Sequence, residues 1–203
     1  MHPFLTDVAK ARCEEVVREI ESTTSAEVVV TVGTRSDLRT RAQLLSGLLF
    51  GFSTLLFLLF HPHEFLLTRI PMQVAIGGVL GALLARVVSP WARLFATRAE
   101  KRGAAGLAAS AAFSDQGIFS TLGRTGILIH VSLWEQCVEL RFDRGIDDAL
   151  RLELGMKLPD LESALRKGSI EAFVETMKTW AAPLSRAFPK GEDDVNELPD
   201  GIL

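Results

Sequence analysis

A marked excess of charge of either sign is missing from this chain. Its 203 residues carry 22 Lys and Arg against 25 Asp and Glu, a net charge of −3. The positive field that a nucleic-acid binder needs against phosphate is therefore missing, and no nucleic acid is expected as a partner. Cysteine is nearly absent: Cys13 and Cys137 have neither the spacing of a metal knuckle nor the number for a disulfide framework, and both are expected as thiols. Nucleophile motifs are lacking too. The chain has no GxSxG, no phosphate-binding Gly-Lys loop and no cysteine followed by an arginine-bearing phosphate loop, so the acyl- and phosphoryl-transfer machinery those motifs mark is not indicated. It has no internal repeat. The first residues, MHPFLTDVAKARCEE, hold acids and a helical pattern where a secretory leader needs an apolar core, so no signal peptide is expected.

What the chain does have is length for one domain with a real core, and a mean hydropathy of +0.24 concentrated in one place. Residues 42–60, AQLLSGLLFGFSTLLFLLF, contain no charge and as a helix would extend about 28 Å, close to the hydrocarbon thickness of a bilayer. A second run, IPMQVAIGGVLGALLA, starts at Ile70 and reaches spanning length at Val88 if Arg86 snorkels to the interface. Neither run shows the polar face that a buried helix pair at the edge of a soluble core would keep. Each carries two glycines four apart, Gly47 and Gly51, then Gly77 and Gly81. Such pairs let helix backbones approach closely in lipid, either within a hairpin or in a homo-oligomer. Arg35, Arg39 and Arg41 precede the first run, and Arg86, Arg93, Arg98, Lys101 and Arg102 accompany or follow the end of the second, whereas the loop between holds only Arg69. This asymmetry predicts two spans with both flanks, and both termini, in the cytoplasm. Trp91, with Arg41, Arg86 and Arg93, is expected at the membrane interface.

The rest of the chain reads as an α/β domain that this hairpin interrupts. Thr6 caps a helix predicted to run to about Ser22, with Val8, Val16, Val17 and Ile20 on one face. Residues 26–33, AEVVVTVG, read as a buried strand, and residues 126–132 and 136–142 as two more. In the last, Val138, Leu140 and Phe142 alternate with Glu139, Arg141 and Asp143, which predicts one buried and one wet face. An alanine-rich helix follows the hairpin. Further helices are expected from Asp148 to about Met156, around 161–166 between the breakers Pro159 and Gly168, and from Ile170 to about Ala187. Residues 1–40 and 91–188 thus form one discontinuous domain, 41–90 the transmembrane hairpin (42–60 and 70–88), and 189–203 an acidic, flexible tail carrying Glu192, Asp193, Asp194, Glu197 and Asp200.

The stretches AEVVVTV, RAEKRGAAGLAASAAF and RTGILIHVSLWEQCVELRFDRGID, with the closing helix and tail, resemble the TPM domain family, small αβα-sandwich domains found in thylakoid-lumen, bacterial and animal membrane proteins. The resemblance implies an αβα sandwich, here a membrane-bound bacterial member. It also implies one of two kinds of role, because some members are phosphatase-like or bind calcium and others are accessory proteins in photosystem repair or receptor regulation. This chain departs from many members in carrying its hairpin inside the domain.

The loop FDRGIDD supports two readings. Asp143, Asp147 and Asp148 offer hard oxygen ligands for calcium or magnesium, Gly145 permits a tight backbone, and Glu27 would lie near the same sheet end. Alternatively the loop is a turn and a helix cap, with Arg144 opposing a cation. His130 lies in an apolar strand, either packed there or poised as a base. His61 and His63 with Glu64 form HPHE in the loop between the spans. The reading favoured at this point is a membrane-anchored accessory protein of the bacterial inner membrane. Its partners would be the lipid bilayer and a membrane or cytoplasmic protein. The alternative is a metal-assisted phosphatase using Asp143 and Asp147.

Overall fold

In the computed structural model, residues 2–34, 37–62, 65–121 and 123–191 are described. Helix α1, Asp7–Glu21, starts where Thr6 Oγ1 accepts the Ala9 amide at 3.2 Å, with Asp7 in the first turn. Its buried stripe is Ala9, Cys13, Val16, Val17 and Ile20. Val8, expected on that stripe, is 74% exposed, because it lies roughly 120° around the helix from the stripe's centre.

Three six-residue strands follow from the β-branched runs: β1, Val28–Gly33; β2, Ile127–Ser132; and β3, Cys137–Phe142. The sheet order is β1-β2-β3, with β1 and β2 parallel (Val28 opposite Ile127) and β2 and β3 antiparallel (Ile127 opposite Phe142). The central strand is buried along its whole length. Alternation sends Val28, Val30, Ile127, Ile129, Val131 and Val138 into the main core with α1 and the C-terminal helices. Val29 and Leu128 face the other way, against Ala109 and Ile118, so helical segments cover both faces. Ala109 belongs to α5, Arg98–Asp115, the alanine-rich helix. The result is a mixed α/β fold, mostly helical.

The C-terminal helices correct two expectations. Pro159 does not break a helix but sits in its first turn, where a missing N–H costs nothing. After α4, Ser89–Arg93, and α6, Asp148–Gly155, that helix is α7, Leu158–Lys167, ended by Gly168 at φ 69°. The single helix expected over 170–187 is two: α8, Ile170–Lys178, and α9, Ala181–Ala187. Pro183 has no amide to donate to Thr179 and its ring crowds that carbonyl, so the chain turns at Thr179 and Trp180 instead. At the end of the described chain, Pro189 pairs with Thr24 and Lys190 Nζ donates to the Glu21 carbonyl at 2.7 Å. These contacts tie residues 189 and 190 to the domain. The acids expected in the tail, Glu192 to Asp200, lie outside the described residues, as does Arg35.

The chain divides into two compact units, Met1–Thr34 with Ala105–Leu203, and Arg35–Ala104. The second unit is built on α2, Asp37–Phe60, and α3, Ile70–Val87, which pack antiparallel: Thr54 meets Gly77, Ser46 meets Gly81, and Arg39 reaches Arg86. Both are long and apolar enough to cross a bilayer, with mean hydropathies of 1.9 and 1.6, and only 17% of either apolar window is buried. The unit boundary lies at 104/105 rather than near 90 because α4 and the start of α5 belong with these helices. Trp91 Nε1 donates to Ser46 Oγ at 2.8 Å, and Arg41 pairs with Glu100 at 2.5 Å.

Candidate functional site

The FDRGIDD loop leaves β3 at the end of the sheet where β1 and β2 begin. The Asp143 amide donates to the Gly126 carbonyl at 2.9 Å, and the Ile127 amide to the Glu27 carbonyl at 2.8 Å. Glu27, Gly126 and Asp143 therefore continue one row across the sheet. Phe142 and Val28 face the main core, so by alternation Asp143 and Glu27 share the opposite face. The expectation of a wet face fails at Asp143, which is 4% exposed, since the following turn folds back over the sheet end.

Sharing a face does not bring the two carboxylates into one coordination shell. Their strands lie two spacings apart, roughly 10 Å, and the gap is filled. A Cβ at Gly126 would come within 2.5 Å of Ile118 Cγ2, so Ile118 lies over the glycine between them. Asp143 Oδ1 accepts the Arg144 amide at 2.7 Å, and its carbonyl accepts Arg151 Nη2 at 3.0 Å. Its Oδ2 is buried with no hydrogen-bond partner among the described residues. Asp147 Oδ1 accepts the Leu150 amide at 2.7 Å as the N-cap of α6. Asp148 is fully exposed, 3.6 Å from Arg151. Among the described residues, no group of three or more His, Cys, Asp or Glu side chains could hold a metal ion.

Gly145 serves a purpose other than a left-handed turn. An added Cβ would lie 2.5 Å from the Arg124 carbonyl and 2.7 Å from that of Gly123, and its own amide donates to Arg124 at 2.8 Å. The glycine lets two loops touch backbone to backbone. Arg124 holds the strained φ, at 55°, and no sequence pattern marks it.

In the middle of the sheet, His130 is buried and its Nδ1 lies 2.9 Å from Thr31 Oγ1. Burial lowers its pKa; Glu135 opposes that and Arg141 adds to it. Its Nε2 makes no hydrogen bond among the described residues, and a Cβ on Gly33 would come within 2.9 Å of it. Ser132 hydroxyl donates to the buried Glu135 carboxylate. This packed histidine is no surface base. Its pairing with Thr31 was not legible, because the two residues are far apart in the chain.

In the helical unit, all four expected glycines sit in the α2–α3 interface. A Cβ at Gly47 would lie 3.0 Å from the Gly78 carbonyl, at Gly51 3.5 Å from that of Val74, at Gly77 2.2 Å from Thr54 Oγ1, and at Gly81 2.6 Å from the Ser46 carbonyl. They close the two helices on each other within one chain. Sequence reasoning missed Ser46, the one buried hydroxyl of α2. It donates to the Gly81 carbonyl at 2.7 Å while accepting from Trp91. Trp91 also stacks edge-on with Phe50 and Phe95, so its indole fastens α4 to α2. His61 packs against Phe57; His63 and Glu64 lie outside the described residues.

No family model matches the chain, and no curated protein matches it significantly. It is similar in structure to the BA42 protein from the psychrophilic bacterium Bizionia argentinensis, known from an NMR structure. The TM-score is 0.56 at 15% identity, over 98% of this chain and 94% of that one. At that identity the likeness is one of fold.

Proposed function

We propose that this chain is a two-span membrane protein of the bacterial inner membrane whose α/β unit, a TPM-like αβα sandwich, lies in the cytoplasm and serves as an accessory module for a membrane or cytoplasmic protein partner. The observation that carries the reading is the helix pair α2–α3. Each helix matches a bilayer in length, exposes Leu48, Phe57, Leu80 and other large apolar side chains, and satisfies its backbone internally. In water such surface would be a liability; in lipid it costs nothing. Basic residues cluster at one end of the pair, which favours that end as cytoplasmic. The carboxylates of FDRGIDD favour a structural over a catalytic role, since Asp143 and Asp147 each accept a backbone amide.

The buried Asp143 Oδ2 supports a second reading, weak binding of calcium or magnesium at this loop and, through it, phosphatase chemistry. One experiment separates the two. Affinity capture of the tagged full chain from cross-linked membranes should return a protein partner in near-stoichiometric yield. A chain recovered alone, together with magnesium-dependent phosphomonoester hydrolysis abolished by Asp143→Asn, would replace the accessory reading with the enzymatic one.

A further inference from the structure

We propose that the basic end of the helix pair is a built collar that retains anionic phospholipid headgroups; the proposal rests on the membrane reading above and names the lipid class. Four helix ends contribute. Arg39 and Arg41 come from the first turns of α2, Arg86 from the last turn of α3, Arg93 from the end of α4, and Arg98, Lys101 and Arg102 from the start of α5. Backbone acceptors gather them. Arg39 Nη2 donates to the Arg86 carbonyl at 3.3 Å, and Lys101 Nζ to the Arg93 carbonyl at 3.0 Å.

Arg93, Lys101 and Arg102 have interactions of their own, and Arg39, Arg41, Arg86 and Arg98 alone outnumber the acids in the described part of this end, Asp37 and Glu100. Glu100 is already engaged, holding the Thr97 amide and hydroxyl as well as Arg41. The side chains of Arg41, Arg86, Arg98 and Arg102 are exposed. Between them α4 and its flanks present apolar surface, Val87 at 79% and Leu94 at 75% exposure. Cations at the level where an apolar helix ends, beside apolar side chains that can enter the acyl boundary, match the phosphodiester and upper chain of an anionic lipid. Orientation alone requires only a count of charges; here they converge from four elements.

The test uses the full chain in nanodiscs of zwitterionic lipid into which brominated phosphatidylglycerol or brominated phosphatidylcholine is titrated, with tryptophan quenching as the readout. Each basic residue near an anionic surface is worth roughly a factor of five. Phosphatidylglycerol should therefore quench at a several-fold lower mole fraction. The preference should fall toward one in Arg86→Gln/Arg98→Gln/Arg102→Gln. In the unaltered chain it should also fall at about 1 M salt, where the Debye length is about 3 Å, so the result does not depend on the variant folding. Equal quenching by both lipids would overturn the collar and leave the membrane reading standing. Quenching by neither would remove the membrane reading and the collar with it.

Discussion

Replacing Gly81 by alanine probes the packing of the helix pair at its closest approach to a backbone atom. The new Cβ would sit 2.6 Å from the Ser46 carbonyl oxygen and 2.6 Å from Phe50 Cβ. The first of these atoms is backbone and cannot rotate away. Restoring an ordinary contact of 3.4 Å requires the helices to part by about 0.8 Å. That would stretch the Ser46 Oγ–Gly81 bond from 2.7 Å past hydrogen-bonding range. Overpacking costs about 1–3 kcal/mol, and a hydrogen bond inside a bilayer contributes about 0.6 kcal/mol. The alanine returns up to about 1 kcal/mol of helix propensity, so the net destabilisation expected is about 1–3 kcal/mol. The assay is reversible SDS unfolding of the purified chain in mixed micelles, followed by tryptophan fluorescence. Gly103→Ala is the control, since nothing lies within 4 Å of its Cβ, and it should be neutral or stabilising. Equal midpoints for the two variants would refute the close-packing argument.

Other sites give independent tests. Asp147→Ala should remove the N-cap of α6 and cost about 1 kcal/mol, with Asp147→Ser largely retaining stability, both read from thermal melts. Gly145→Ala forces a Cβ to 2.5 Å from the Arg124 carbonyl and should cost about 1–3 kcal/mol in denaturant titrations; an unchanged midpoint would disprove the backbone contact. His130 has its folded pKa below the ordinary 6.5 because burial disfavours the cation. Its contribution is therefore complete above pH 6.5 and is lost as pH falls further, so midpoints measured from pH 7.5 to 5 should drop less in His130→Gln than in the parent chain. Cys13 is raised to about 11, chiefly by burial and then by Glu14. Its stability contribution is present below pH 9 and lost as pH rises toward 11, a loss that Cys13→Ala should abolish.

Local signals carried most of the fold. Thr6, the β-branched runs and the uncharged stretches each specify their element through nearby atoms, and those elements form within a residue or two of their expected ends, except that α2 begins at Asp37, five residues before the uncharged run. Pro183 was as visible as Pro159, yet reading either depends on whether it falls in a first turn, which packing decides. The site was less legible because its determinants are non-local. Asp143 is buried by a turn that follows it, Ile118 separates it from Glu27 across Gly126, and Thr31 meets His130 only through the parallel pairing of β1 with β2. Trp91 was expected where a membrane would end. Its bond to Ser46 requires knowing how α4 turns back on α2.

The most direct test of the two-span reading is labelling by a membrane-impermeant maleimide in intact cells expressing the full chain. The native cysteines are both buried, so single reporters can be placed at Pro62→Cys, between the helices, and at Gly103→Cys, in α5. The account predicts that Pro62→Cys is labelled in intact cells and Gly103→Cys only after the membrane is permeabilised. Labelling of Gly103→Cys from outside, or release of the chain from membranes by alkaline carbonate, would contradict it.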